Sequence, residues 1–233
     1  MDNDLNFETY LLISENKLTI YVNSETNIKL YKKELIIEKN SSESILNKVD
    51  YFLDENIFKI EKVLKVFVKK MIIILDSEDF FSVDISIKKK NYENILSFKS
   101  LNHLLYELKD YCKDSTQGAK IIHMVIQNYL INEINHTSFP ENTKCNSLAL
   151  DVKFICLSND LIKNVEVILK KYQISLKKVV NANYINNFLN EDEDNIFLMS
   201  KKIIVGHNSN EVLLVDKIPK NRGFFEKFFS FFS

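Results

Sequence analysis

The sequence contains no tryptophan, three glycines and two prolines among its 233 residues. The glycines stand far apart, at Gly118, Gly206 and Gly223. A glycine-rich turn, which lets backbone N–H groups approach a bound phosphate closely, is therefore absent. We attribute the scarcity of glycine, together with abundant asparagine, isoleucine and lysine, to AT-biased coding.

Signals of secretion are missing as well. The three cysteines, Cys112, Cys145 and Cys156, have no CxxC spacing and are odd in number, so they make no disulfide framework. Reduced core thiols, as in the cytosol, are expected. The acidic start Met1 to Asp4 lacks the features of a signal peptide, and the apolar run Met71 to Leu75 is too short to cross a bilayer. We expect a protein that is neither secreted nor integral to the membrane.

Catalytic, cofactor and metal sites are not predicted. A formal net charge of -1 argues against general nucleic-acid binding. No serine lies in a nucleophile motif, and His103, His136 and His207 lack partners at ligand spacing. His123, among apolar neighbours, is interpreted as a core or edge histidine. A small enzyme with an unrecognised site remains an open hypothesis.

Apolar periodicity in a chain that is 45% hydrophobic predicts an α+β fold. Predicted strands lie at 10–13, 17–22, 28–38, 71–75, 81–87, 121–134, 148–157 and 176–180. Predicted helices start near Asn40 to Glu43, at Leu101 and at Asn159 to Asp160. From Met71 onward this order predicts one mixed sheet with helices on one face. A further hairpin is expected around His207 to Asn210.

A family resemblance appears at Ile122 to Asn132, which is similar to the LHvxPqxYxxD strand of the bacterial cell-division protein FtsA. Ile126 and Asn132 replace the proline and aspartate of this pattern. Pro140 falls in the loop where FtsA has an NPxG turn. The motif residues in this sequence are therefore His123, Gln127, Tyr129 and Pro140.

The resemblance implies a partial actin-like (ribonuclease H-like) subdomain joined to an SHS2-type α+β subdomain. The expected division is a disordered N-terminus at 1–8, the actin-like part at 9–69, the SHS2-like part at 70–188, a linker with the hairpin at 189–220, and an amphipathic helix at 221–233. The second lobe of FtsA is expected to be absent, which argues against binding the FtsZ tail by the usual route.

Nucleotide binding is not carried over from the family. Actin-like ATPases begin with a DxGSSK turn that holds phosphate, but the corresponding stretch here is Leu12 to Lys17, and only Lys17 matches. Leu12 replaces the acidic residue, Ser14 replaces the glycine, and Glu15 would repel a phosphate.

The C-terminal segment has the pattern of an amphipathic membrane helix. At about 100° per residue, its phenylalanines share one arc of roughly 160°. Cations suited to anionic headgroups lie beside them. The predicted membrane-binding residues are Phe224, Phe225, Phe228, Phe229, Phe231, Phe232, Lys220, Arg222 and Lys227. Alternatively, this aromatic face packs on the protein's own core or on a partner subunit.

These features together predict a membrane-tethered, non-catalytic adaptor of the cell-division machinery on the inner face of the cell membrane. Its expected partners are other division proteins, further copies of itself and the anionic membrane surface. The alternative is an adaptor of a pilus or secretion assembly resembling PilM, which shares the inserted subdomain. A phenylalanine-rich tail is not a hallmark of PilM, so the tail favours the first reading.

Overall fold

The computed structural model describes residues 6–38, 43–189 and 195–213. The predicted amphipathic helix at 221–233 lies outside the described residues, and so do residues 1–5 and most of the acidic stretch, at 190–194. The membrane-binding assignments of the six phenylalanines and the three cations therefore stay predictions.

Strands and helices alternate along the described chain. The strands are β1 Phe7–Ile13, β2 Lys17–Ser24, β3 Lys29–Ile36, β4 Lys70–Leu75, β5 Phe81–Ile95, β6 Ala119–Ile131, β7 Ile134–His136, β8 Lys144–Ser158 and β9 Ser175–Asn181. The helices are α1 Ile45–Leu64, α2 Phe98–Ser115, α3 Asn159–Lys171, α4 Ala182–Asn186 and α5 Ile196–Ile204.

The first sheet has the strand order β3-β2-β1-β4-β9. β1, β2 and β3 form an antiparallel meander, whereas β4 and β9 run parallel to β1. The expected α+β class is confirmed.

Both faces of the first sheet are covered, because its central strands are apolar on both sides. Leu11 and Ile73 face α1 and α3, which supply Leu53 and Leu169 to this core. On the opposite face, the side chain of Tyr10 packs with residues of α4 and α5. Strands buried on both faces read as continuous apolar runs, as Met71 to Leu75 does.

The second sheet is antiparallel, with the order β5-β8-β6-β7, and α2 covers one of its faces. Register shifts in β6, between Ile121 and His123 and between Ile126 and Asn128, interrupt the simple alternation of its side chains. Bulges of this kind add a residue and redirect the strand. Ile121, Met124, Ile126 and Tyr129 consequently all contribute to the core under α2.

The boundary between the two sheets differs from the expected division between residues 69 and 70. β4 and β9 belong to the first sheet, although both lie within the 70–188 segment assigned to the second subdomain. The whole second sheet and α2 are inserted between these two strands in the chain. The prediction of one mixed sheet from Met71 onward with helices on one face is therefore wrong, because strand patterns do not specify their partners.

Three local predictions also need correction. Phe7 and Glu8, assigned to a disordered N-terminus, begin β1. Helix α1 is capped by Ser44, whose hydroxyl accepts a hydrogen bond from the Asn47 N–H, and Asn40 to Ser42 lie outside the described residues. Ile203 lies in α5 and not in a hairpin strand, because residues at helical spacing pack against the first sheet.

Candidate functional site

A buried polar cluster connects the two sheets. His123 on β6 places its Nδ1 atom 2.7 Å from Oε1 of Glu211, while the Tyr184 hydroxyl donates to Oε2 of Glu211 at 2.8 Å. The backbone N–H of Asn181, at the end of β9, donates to His123 Nε2 at 3.1 Å. All four residues are less than one tenth exposed. We call His123, Asn181, Tyr184, Asn208 and Glu211 the junction cluster.

The hydrogen bonds define the protonation pattern of the junction cluster. Because Nε2 of His123 accepts from a backbone N–H, Nδ1 carries the proton and donates it to Glu211. Burial raises the pKa of Tyr184, so its phenol stays protonated and donates to the carboxylate. The side-chain amide of Asn208 donates to the same phenol oxygen at 2.9 Å. Both nitrogens of His123 are thus occupied, and the ring has no free position for acid–base chemistry.

The junction cluster fastens the segment 206–213 onto β6. The Ile126 N–H donates to the Asn210 carbonyl at 2.8 Å, and the Val212 N–H donates to the Met124 carbonyl at 2.8 Å. Glu211 forms an isolated antiparallel bridge with Val125 between these bonds. The cluster therefore holds a short added strand against the edge of β6.

The other residues of the family motif lie apart from the junction cluster. Gln127 is exposed at the second bulge of β6. Tyr129 is buried on the opposite side of the second sheet, where burial raises its pKa and its ring lies 5.8 Å from that of Phe139. Pro140 is half-buried in the following loop. The motif thus contributes one residue to the junction and one to the core under α2.

A groove of about 950 Å³ opens beside the first sheet, between the β1–β2 turn and the loop after β4. Its floor is apolar and includes Ile13, Leu75 and Val165, all of which are buried. Among the described residues, its rim carries one lysine, Lys48, and six carboxylates. The carboxylates are Glu15, Glu38, Glu43, Asp76, Glu78 and Asp79. We call this feature the acidic groove.

The β1–β2 turn is closed on itself through Ser14. The N–H and the hydroxyl of Ser14 both donate to the Lys17 carbonyl, at 3.0 and 2.9 Å. The ammonium of Lys17 lies 4.0 Å from Glu34 on β3, and Leu12 is buried in the core on the α5 side of the sheet. A phosphate placed here would meet the carboxylates of the rim, while the N–H and hydroxyl of Ser14 are already engaged.

Other chemistry of the described residues is limited. The part of the chain that the structure describes contains no group of three or more His, Cys, Asp or Glu side chains placed to hold a metal ion. None of its helices combines the length and the apolar character needed to cross a bilayer.

Four members of the junction cluster were not predicted from the sequence. His123 and Glu211 are 88 positions apart, and Glu211 lay beside a segment predicted to be a hairpin. Asn181 follows an apolar strand, where its side chain caps α4 by accepting from the Tyr184 N–H at 2.8 Å. The single available signal was a histidine within an apolar strand, which requires buried partners.

No family model and no curated protein matches this chain. Among solved structures, the chain is similar to the PilM-PilN type IV pilus biogenesis complex, with 9% identity, a TM-score of 0.45, and coverage of 79% of this chain and 49% of the other. It is also similar to the cytoplasmic domain of EpsL, an inner membrane component of the type II secretion system of Vibrio cholerae. There the identity is 12%, the TM-score 0.37, and the coverage 77% of this chain and 56% of the other.

A third solved structure is a Bacteroides thetaiotaomicron protein with an actin-like ATPase fold and unknown function. It has 10% identity, a TM-score of 0.34, and coverage of 81% of this chain and 58% of the other. The chain thus spans about half the length of the solved structures it matches.

Proposed function

We propose that this protein is a non-catalytic adaptor tethered to the inner face of the cell membrane by its C-terminal residues. The observation that carries the proposal is the sorting of six phenylalanines onto one side of a helix that would begin at Phe224. Each fully buried phenylalanine contributes roughly 1.5–3 kcal/mol, so partial insertion of six rings would offset the ordering of a short helix. A tether of this kind is reversible and is strengthened by self-association.

The acidic groove supports the non-catalytic part of the proposal. The six carboxylates of its described lining, against Lys48, oppose the charge of a triphosphate. The Ser14 hydroxyl and N–H are bonded within their own turn. Adding Mg-ATP should leave the midpoint of thermal unfolding unchanged, and a concentration-dependent rise in this midpoint would contradict the proposal.

Exposed apolar surface supports a role in binding other proteins. Phe58 on α1 and Phe67 after it are 73% and 75% exposed, and Tyr51 is 67% exposed. Groups of exposed aromatic side chains are typical of interaction surfaces. In the second sheet, β5 is an edge strand of 15 residues, to which a further strand could add.

Sedimentation with vesicles tests the tether. Phe228 and Phe232 lie near the centre of the apolar arc, so changing both to glutamine should cost roughly 2 kcal/mol of partitioning, or about thirtyfold, onto phosphatidylglycerol vesicles. The matched control changes Ser230 and Ser233 to glutamine on the polar side, which adds the same residues and should retain binding. Equal sedimentation of both variants would overturn the tether.

The sequence resemblance to FtsA leads us to propose the cell-division machinery as the assembly that this adaptor serves. An adaptor of a pilus or secretion assembly resembling PilM shares the inserted subdomain and is the second candidate. A fluorescent fusion expressed at native level distinguishes them, since the division adaptor should form a band at midcell. Foci at the cell poles or envelope without a midcell band would contradict the division role.

A further inference from the structure

The acidic groove has the shape and chemistry of a binding site for a basic, partly apolar peptide. Its floor is formed by buried Ile13, Leu75 and Val165, and the half-buried Ile45, Leu46 and Leu161 complete it. Five of the six rim carboxylates lie in two stretches, Glu38 to Glu43 and Asp76 to Asp79. A peptide with cations spaced around an apolar residue could pair with both rims while covering the floor.

The chain itself contains such a segment. Residues 217–222 read Lys-Ile-Pro-Lys-Asn-Arg, with three cations around Ile218 and Pro219. The described part of the groove lining has the opposite charge balance, with six carboxylates against Lys48. The charge of the segment is therefore complementary to that of the groove, whereas the Phe58 and Phe67 surface is bordered by both signs of charge.

A short series of contacts links the end of the described chain to the acidic groove. Glu211 accepts a hydrogen bond from Tyr184, and Asn183, next to Tyr184, lines the groove. Asn181 of the same cluster pairs with Leu75, which lies on the groove floor. Lys217 lies four positions after Leu213, and four steps of an extended chain at about 3.5 Å each span roughly 14 Å. The segment that begins at Lys217 thus follows the described chain after a short stretch.

We propose that the acidic groove binds the chain's own segment Lys217 to Arg222. In this state, the three cations pair with the rim carboxylates and Ile218 covers the apolar floor. Anionic lipid offers the same cations a competing partner, so the groove and the membrane surface exclude each other as binding partners of this segment. The docking does not depend on the proposed tether, but the competition with lipid does.

Because the chain has no tryptophan, changing Ile218 to tryptophan gives a single fluorescent reporter. In the full chain without lipid, we expect blue-shifted emission and weak quenching by acrylamide. Changing Glu15 and Glu78 to lysine should shift the emission to the red and increase quenching. Changing Lys217 and Lys220 to glutamate in that same variant should restore burial, because the charges are then exchanged across the contact.

A matched control adds the same charge elsewhere, by changing Glu55 and Asp84, which lie outside the acidic groove, to lysine. This control should keep the blue-shifted emission. Docking is overturned if the reporter is solvated in the unchanged protein, if both pairs of lysines act alike, or if burial disappears on dilution, which would indicate binding between copies. Circular dichroism of each variant verifies that the body remains folded.

Vesicles then test the competition separately. The Glu15→Lys, Glu78→Lys variant should bind phosphatidylglycerol vesicles more tightly than the Glu55→Lys, Asp84→Lys control, because its segment is no longer held in the groove. Equal binding by the two variants would overturn the competition. If no variant binds vesicles while the reporter still responds to the groove charges, the tether fails and the docking stands.

Discussion

Replacing Glu211 with alanine should release the segment 206–213 from β6 while the two sheets stay folded. The carboxylate of Glu211 accepts hydrogen bonds from His123 at 2.7 Å and from Tyr184 at 2.8 Å. Both donors are buried and would lose their partner together. Only the two backbone hydrogen bonds to Met124 and Ile126 would then hold the segment, and they should open more often.

The expected loss of stability follows from these two hydrogen bonds to Glu211. A hydrogen bond to a charged group contributes roughly 1.5–3 kcal/mol, and a donor left unsatisfied in the core costs a similar amount. We therefore expect a loss of about 3 kcal/mol for Glu211→Ala and about 1.5 kcal/mol for Tyr184→Phe. Since the two residues share one bond, the double variant should lose about 1.5 kcal/mol less than the sum of the single losses.

Amide hydrogen exchange and urea denaturation together measure this loss of stability. A loss of about 3 kcal/mol raises the exchange rate roughly 150-fold at the amides of Ile126 and Val212, which bond across this contact. Exchange in α1 should change much less. The control is Glu55→Ala, an exposed glutamate on α1, for which we expect less than about 0.5 kcal/mol. Unchanged exchange at Ile126 and Val212 would refute a clamping role for the junction cluster.

Further predictions concern the two cores and one ion pair. The hydrogen bond from Lys171 lowers the pKa of Asp50, so its stabilisation is present above the pKa of the unfolded chain and is lost as the pH falls through the lower folded-state pKa. Asp50→Asn should therefore cost about 0.5 kcal/mol in urea denaturation at neutral pH and nothing in strong acid, and a constant difference at every pH would contradict this. Burial raises the pKa of Cys112, and burial with the neighbouring thiol raises that of Cys156 to about 12. Ellman's reagent should react with both thiols in urea but with neither in the native protein at pH 8, and rapid native labelling would count against their burial. Leu53→Ala, which empties a fully buried site on α1, should lower the free energy of unfolding by roughly 3 kcal/mol, and a loss below about 1 kcal/mol would show a looser core.

Local patterns predicted the elements that bury one clear apolar face. The hairpin from Tyr10 to Val22 turns at Ser14 to Asn16 as expected, because apolar runs flank a polar turn. The helix carrying Leu101, Leu105 and Leu108 was predicted from its spacing, and these residues face the second core. Such predictions depend on interactions between near neighbours in the sequence.

Partner choice could not be predicted in the same way. Met71 to Leu75 and Leu148 to Leu157 both read as buried strands, yet they lie in different sheets. Nothing in either run specifies its neighbour, which is selected by packing across the whole domain. The contact between His123 and Glu211 depends on the same long-range packing.

α5 illustrates a conflict between composition and context. Ile203 and Val205 are β-branched and precede a polar stretch, which favours a strand. Phe197 and Ile203 instead bury a helical face against Tyr10 and Tyr21, and the Phe197 ring stacks on that of Tyr21 at 4.5 Å. The Asn195 side chain starts the helix by accepting from the Phe197 N–H at 3.0 Å. Burial against the first sheet therefore determines that this segment is a helix and not a strand.

The insertion of an entire antiparallel sheet between β4 and β9 has a consequence for how the chain reaches its folded state. Lys70 pairs with Ser175, so β9 can join β4 only after a loop of about a hundred residues has closed. If the inserted sheet forms first, its own hairpins bring the end of β4 and the start of β9 together. Most of the entropy cost of closing the loop between them is then already met. The last strand of the larger sheet should then add late, and ribosome-bound chains shorter than about 180 residues should leave the edge of β4 open to other strands.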